Sequence, residues 1–270
     1  MSVALVVCVL SGFLALAKGF ETALRGAGSP AVAVILGGVS NQEMASDVPA
    51  GVLRIFSAMT EDPGLARDGS GALVHSREIV LPVDVKPAGD GPARAVALRG
   101  MDAAGPALRD SVHLTSGRFV AAGASEIVVS ERLARQYGLV LGDRVRLGPI
   151  DWTVVGTFTA HGSALESEFW ADFETVRANF DRQGQIQSLR FRLASPAALA
   201  RLRDKAAAIP GATLTVVTEA ELYAAQSGRV DALITLFAWP IALLLAVGAT
   251  AGALNTLMSS VSDRAAEIAT

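Results

Sequence analysis

The 270-residue sequence contains a single cysteine, Cys8, and three histidines, and only 18% of its residues are charged. One cysteine excludes a disulfide framework and a thiolate metal site, and the histidines show no spacing typical of metal ligands. A soluble domain usually carries about 25% charged residues, so the deficit favours segments embedded in a membrane. The net charge of −3, without a basic block, argues against a nucleic-acid partner.

Motifs that carry enzymatic chemistry are also missing. The sequence has no G-x-x-x-x-G-K-[ST] loop for nucleotide phosphates and no G-x-S-x-G elbow of a serine hydrolase. Glu166 and Glu168 are two residues apart and are expected to point in opposite directions on a strand, whereas paired catalytic carboxylates must converge. We therefore expect a protein that is not an enzyme and has no catalytic, cofactor-binding or metal-binding residues of its own.

The longest stretch without a charged side chain is residues 232–262. It exceeds the roughly 20 apolar residues that a helix needs to cross a bilayer, and charges are avoided in such spans. Within it, Gly248 and Gly252 have the G-x-x-x-G spacing that lets membrane helices approach closely. We therefore predict a transmembrane helix with Gly248 and Gly252 as helix-packing residues.

A helix start is predicted shortly before this stretch. Thr218 and Glu221 have the T-x-x-E spacing of a capping box, and no proline or glycine follows before residue 228. A continuous, stiff helix is therefore expected to enter the membrane from this point. Residues 218–260 are predicted to form a stalk and the second transmembrane helix.

The N-terminus holds another uncharged run, residues 1–17, which Lys18 ends. At about 1.5 Å per residue it reaches roughly 25 Å, slightly less than a hydrocarbon core. We predict that residues 1–25 form the first transmembrane helix and its stalk, truncated at the start. The alternative is a signal peptide, because residues 15–17 resemble a cleavage site, although no basic segment precedes the apolar run.

Residues 26–217 are predicted to form one polar domain between the two spans. Strands are expected at residues 31–36, 72–85, 94–99, 189–193 and 212–217, with helices between several of them. Residues 112–160 are predicted to be a β-rich insert with a short helix that Ser130 caps and Gly138 ends, and with a hairpin around residues 148–149. Residues 162–172 are predicted to be a turn that is structural or faces a partner, and Ser195 is predicted to cap a later helix. The predicted fold class is an α+β membrane protein in which two transmembrane helices flank an extracytoplasmic domain of strand–helix–strand units.

Several short motifs occur along nearly the whole chain in a fixed order. They are Gly28–Pro30, Gly117–Phe119, Glu126–Val129, Leu133–Arg135, Leu141–Asp143, Trp152–Gly156, Glu166–Glu168, Trp170–Asp172, Gly252–Thr256 and Arg264–Ile268. In these motifs and their order the sequence resembles the MacB/FtsX-like permease family of ABC transporters, in its four-span form with a MacB-like periplasmic core domain. Members of this form begin with a cytoplasmic segment and continue into two further spans, so the resemblance predicts that this chain is a fragment.

The resemblance implies a permease subunit in the bacterial inner membrane, with its central domain periplasmic. It implies as partners an ABC ATPase subunit that binds the ATP and a second permease copy, with export or extraction of a substrate as the outcome. Residues 261–270 would begin a cytoplasmic coupling segment that contacts the ATPase through Asp263, Arg264, Glu267 and Ile268. Spacing alone shows only that Arg264 and Glu267 can pair on one helical face, as in any juxtamembrane turn.

Two other functions stay open at this point. The same architecture fits a scaffold that does not transport but passes the ATPase cycle to a periplasmic partner such as a cell-wall hydrolase. A secreted binding domain held only by its C-terminal span would follow if the N-terminal run were a signal peptide.

Overall fold

The structure, a computed structural model, describes residues 28–39, 42–58, 64–86 and 91–225, together with scattered residues between 8 and 19 and between 240 and 261. The chain divides into two compact units. One is Ala23–Ala225, and the other combines Met1–Thr22 with Gln226–Thr270.

The larger unit is built on one mixed sheet, which contains ten strands among the described residues. The strand order is β10-β1-β9-β2-β3-β8-β5-β7-β4, and β6 also pairs with β7. The strands are β1 (Val32–Gly37), β2 (His75–Val85), β3 (Arg94–Met101), β4 (His113–Gly117), β5 (Glu126–Ser130), β6 (Arg144–Leu147), β7 (Ile150–Thr159), β8 (Glu168–Asp172), β9 (Ser188–Arg192) and β10 (Leu214–Thr218).

Short helices connect these strands. They are α1 (Gly51–Ala58), α2 (Glu131–Tyr137), α3 (Phe173–Asn179) and α4 (Ala198–Ala207), with 3-10 turns at Glu43–Ala45, Pro106–Leu108 and Ala164–Ser167. After β10, residues 219–225 are helical, and we call them helix 219–225.

One face of the sheet carries the main apolar core. Ile79, Leu98 and Phe191 lie in one apolar cluster with helical residues such as Phe56 and Leu202. Burying one such side chain contributes about 1.5–3 kcal/mol. This face supplies most of the stabilisation of the unit.

The opposite face of the central strands is polar. The antiparallel register places Ser76 opposite Arg190 and Val80 opposite Arg99. These side chains are nevertheless buried, because residues 42–46, residues 105–111 and helix 219–225 lie over them. The charges on this face make up the candidate site.

Much of the predicted secondary structure is confirmed. The hairpin turns at residues 148–149, with Leu147 paired to Ile150. Ser130 caps α2 by accepting a hydrogen bond from the Leu133 N–H, and Gly138 ends that helix with φ 67°. Local caps and turns are specified by neighbouring residues, which is why the sequence predicts them well.

Residues 112–160 contain strands β4 to β7, in agreement with the predicted β-rich character, and β5 pairs with β8 so that these strands continue the central sheet. Two other predictions were wrong. Residues 168–172, expected to be a turn, form the buried strand β8. Ser195 does not cap α4, which begins at Ala198 without a side-chain cap. Residues 168–172 form a strand because they pair with distant residues of β3 and β5, which local patterns do not report.

In the smaller unit, residues 246–255 are helical and include Gly248 and Gly252. A Cβ atom at Gly248 would meet nothing within 4 Å, so helix packing through these glycines stays a prediction. Among the described residues, no helix has the length and apolar character needed to cross a bilayer. The two predicted spans also stay predictions, and the predicted coupling residues Asp263, Arg264, Glu267 and Ile268 lie outside the described residues.

Candidate functional site

Three arginines and four glutamates meet on the covered polar face of the sheet. They come from β2, β3, β8, β9, two 3-10 segments and helix 219–225. We call this group the buried ion cluster, and its members are Arg99, Arg109, Arg190, Glu43, Glu78, Glu168 and Glu219.

Arg190 lies at the centre of the cluster, with its side chain completely buried. Its Nε donates a hydrogen bond to Glu78 over 2.8 Å, and its Nη2 donates to Glu43 over 2.8 Å. Its Nη1 donates to Glu219. One guanidinium therefore links the central strand β2, the 3-10 turn at Glu43–Ala45 and the first turn of helix 219–225.

The other two guanidiniums complete the arrangement. Arg99 donates from Nε to Glu168 over 2.6 Å and from Nη1 to Glu43 and Glu78 over 2.9 and 2.8 Å. Arg109 binds both carboxylate oxygens of Glu78, at 2.9 and 2.7 Å, and its guanidinium carbon lies 5.4 Å from the centre of the Trp170 ring. Glu78 thus accepts hydrogen bonds from all three arginines.

The charges hold one another ionised. Burial by itself would raise the pKa of Glu78, but the guanidiniums of Arg109, Arg190 and Arg99 outweigh it and lower that pKa to about 2. Burial opposes ionisation of Glu43 in the same way, and Arg190 and Arg99 bring its pKa far below the usual value. The cluster contains four carboxylates and three guanidiniums, so it carries one surplus negative charge.

Three residues of helix 219–225, Glu219, Leu222 and Tyr223, attach it to the rest of the larger unit. Glu219 binds Arg190 and also accepts a hydrogen bond from the Ser29 N–H over 3.1 Å. Leu222 packs with the β1 residues Val34 and Leu36 in one apolar cluster. Tyr223 packs in a second apolar cluster that includes Trp170.

The predicted capping box at the start of this helix is confirmed. The Glu221 N–H donates to the Thr218 hydroxyl over 3.0 Å, and the Thr218 N–H donates to the Glu221 carboxylate over 2.9 Å. The helix therefore starts at a defined residue, with Glu219 placed directly over Arg190.

The arrangement of the buried ion cluster is suited to attaching helix 219–225 to the sheet and not to catalysis. Each carboxylate of the cluster accepts at least one hydrogen bond from an arginine. The buried Tyr223 hydroxyl has no hydrogen-bond partner among the described residues, and burial raises the pKa of Tyr223. A network of this kind resists displacement, because moving one member strands a buried charge. Sequence reasoning did not find the cluster, and none of the predicted site residues belongs to it.

The larger unit is thus a domain with one mixed sheet, helices α1 to α4 on one face and helix 219–225 attached to the other. The MacB-like periplasmic core domain family matches residues 1–209. The chain therefore belongs to that family, the periplasmic part of ABC-transporter-type permeases, and the predicted relationship is confirmed.

A solved periplasmic domain shows the same fold. The periplasmic region of MacB from Actinobacillus actinomycetemcomitans superposes with a TM-score of 0.55 at 14% identity, covering 78% of this chain and 95% of that one. The extracellular domain of the noncanonic ABC-type transporter YknZ from Gram-positive bacteria has a TM-score of 0.49 at 14% identity, covering 69% of this chain and 100% of that one. No protein with curated annotation matches the chain significantly.

Proposed function

We propose that this chain is a permease subunit whose domain moves in response to ATP hydrolysis by a separate nucleotide-binding subunit, and that this movement drives export or extraction of a substrate. Family membership supports the permease assignment. ATP would be bound by the partner, since the sequence has no phosphate-binding loop. The location would be the bacterial inner membrane, with a second permease copy beside the first.

The observation that carries the coupling role is the attachment of helix 219–225 to the sheet. This helix leads along the chain towards residues 232–262, the predicted second span. Its first turn is bound through Glu219 to Arg190 in the middle of the sheet, and Leu222 and Tyr223 anchor it on both sides. We therefore expect a force that reaches helix 219–225 to be transmitted to the central strands of the sheet.

Glu219→Ala tests this role with little damage to the fold. It removes the bond to Arg190, but it leaves three carboxylates facing three guanidiniums in the remaining cluster. The matched control is Glu221→Ala, which deletes a carboxylate from the same helical turn. Among the described residues, the Glu221 carboxylate binds the Thr218 N–H and the half-exposed Arg203. Its loss leaves the bond from the Glu221 N–H to the Thr218 hydroxyl and the Glu219–Arg190 pair in place.

The measurement uses the full-length chain with the Cys8→Ser change, copurified with its nucleotide-binding subunit and placed in lipid nanodiscs. A spin label at Ser116→Cys, on the exposed strand β4, reports the distance between two permease copies with and without ATP. We expect an ATP-dependent distance change in the parent and in Glu221→Ala, and its loss in Glu219→Ala at unchanged ATPase activity. A Glu219→Ala protein that moves like the parent would refute the coupling role, and failure to copurify any nucleotide-binding subunit would refute the permease assignment.

A further inference from the structure

Two of the three histidines lie side by side, although they are far apart in the sequence. His113 is the first residue of β4 and pairs with Thr159 of β7, and His161 follows two residues after Thr159. The centres of their imidazole rings are 5.4 Å apart, and both side chains are exposed. The sheet register therefore brings together two good ligands for transition metals.

The separation of the rings is the one that a shared metal ion requires. A Zn–N bond to histidine is about 2.0–2.1 Å, so each ring centre lies about 3.2 Å from the ion. Two imidazoles on a tetrahedral ion would then have their centres about 5.2 Å apart. The observed 5.4 Å differs little from this value.

The backbone that carries His161 is held in an unusual conformation. His161 has φ 51°, in the left-handed region that is unfavourable for most residues other than glycine. The buried carboxylate of Glu166 fixes the preceding residues by accepting hydrogen bonds from the Ala160 N–H over 2.7 Å and the Thr159 hydroxyl over 3.0 Å. Strained backbone that its surroundings hold in place is typical of functional positions, because it sets the direction of one side chain.

We propose that His113 and His161 bind one divalent transition-metal ion of the kind that imidazole prefers, such as Zn²⁺. Exposed imidazoles lose little hydration on binding, and a site held in advance binds without rearranging the loop. Among the described residues, no third histidine, cysteine, aspartate or glutamate completes the coordination. The other coordination positions of the metal ion would therefore be filled by water or by a ligand from another molecule.

The test is calorimetric titration of the full chain with Zn²⁺ in detergent, after removal of any histidine tag. All variants carry Cys8→Ser, because the free thiol is itself a zinc ligand. The informative variants are His113→Ala and His161→Asn, since asparagine tolerates the left-handed conformation and removes only the imidazole. His75→Ala removes the third histidine and serves as the control, and Mg²⁺, which prefers oxygen ligands, is the control ion.

We expect one Zn²⁺ per chain in the parent and in His75→Ala, and no Mg²⁺ binding. Either informative substitution should weaken Zn²⁺ binding by at least about tenfold, because loss of even a residue that hydrogen-bonds a metal ligand typically costs about 10–100-fold in affinity. Far-UV circular dichroism of each variant checks the fold, and His113→Ala, on an exposed strand, decides the question if His161→Asn is unfolded. A parent that does not bind Zn²⁺, or variants that bind it as the parent does, would overturn the proposal.

Discussion

Replacing Arg190 with methionine tests how strongly the buried ion cluster depends on its central member. Methionine fills most of the volume of the arginine stem but donates no hydrogen bonds. The change removes three charge-assisted hydrogen bonds, to Glu43, Glu78 and Glu219. It leaves four carboxylates in a buried space with only Arg99 and Arg109 to neutralise them.

Two estimates of the destabilisation caused by Arg190→Met agree. Removing one partner of a buried ion pair typically destabilises a protein by about 3–5 kcal/mol. A stranded carboxylate can instead take up a proton, which at pH 7 costs about 3.7 kcal/mol for an ordinary glutamate. We therefore expect Arg190→Met to lower the free energy of unfolding by about 4 kcal/mol at pH 7.

Proton uptake also changes how stability depends on pH. A carboxyl group that is protonated in the folded variant has a folded-state pKa above its unfolded value, so the folded state binds more protons than the unfolded state. The unfolding free energy of Arg190→Met should therefore rise as the pH falls from about 7 to about 5. The parent should show no such rise, because Arg109, Arg190 and Arg99 together outweigh burial and lower the pKa of Glu78.

The assay is urea unfolding of the full chain in detergent, followed by tryptophan fluorescence at several pH values. With a slope of about 2 kcal/mol per molar urea, the midpoint at pH 7 should fall by about 2 M. The control is Arg135→Met, which breaks the exposed pair with Glu131 and should cost at most about 0.5 kcal/mol. A loss below about 1 kcal/mol for Arg190→Met, without the inverted pH dependence, would refute the account of the cluster.

Two further outcomes follow from the same geometry. In the parent, ionised Glu78 contributes stability that is complete above its ordinary pKa of 4.5 and is lost as the pH falls towards its folded-state pKa of about 2. The urea midpoints should therefore be constant from about pH 7 to about pH 5 and should decline at lower pH. Constant midpoints down to about pH 3 would contradict this. Tyr223→Phe should leave the unfolding free energy unchanged or raise it by up to about 1 kcal/mol, because the buried hydroxyl loses no hydrogen bond to the part of the chain that the structure describes. A loss of more than about 1 kcal/mol in the same urea assay would show that the hydroxyl is hydrogen-bonded in solution.

Local features of this fold were predictable from the sequence because neighbouring residues determine them. The capping box at Thr218 and Glu221, the cap at Ser130 and the turn at residues 148–149 each depend on a few consecutive side chains. The alternation of apolar residues along β6 and β7 likewise predicted which side chains would be buried, and Trp152 is completely buried. Family membership was also predictable, since it rests on motifs in a fixed order.

The buried ion cluster could not be predicted in this way. In β9, Arg190 and Arg192 alternate with Leu189 and Phe191, a pattern that usually indicates one buried and one solvated face. The side chain of Arg192 is partly exposed, as this pattern predicts, whereas that of Arg190 is fully buried. The difference arises because residues from distant parts of the chain, Glu43 and Glu219 among them, cover only the centre of the polar face.

Apolar contacts and charges therefore have different roles where helix 219–225 meets the sheet. The contacts of Leu222 and Tyr223 supply attraction, but apolar surfaces tolerate small shifts. A shift of one residue would place Thr218 or Ala220 where Glu219 now lies, and neither could neutralise Arg190. A buried ion pair contributes little net stability but penalises every arrangement in which a charge is unpaired. The cluster thus selects one position of the helix on the sheet, which is the property that a joint transmitting movement needs.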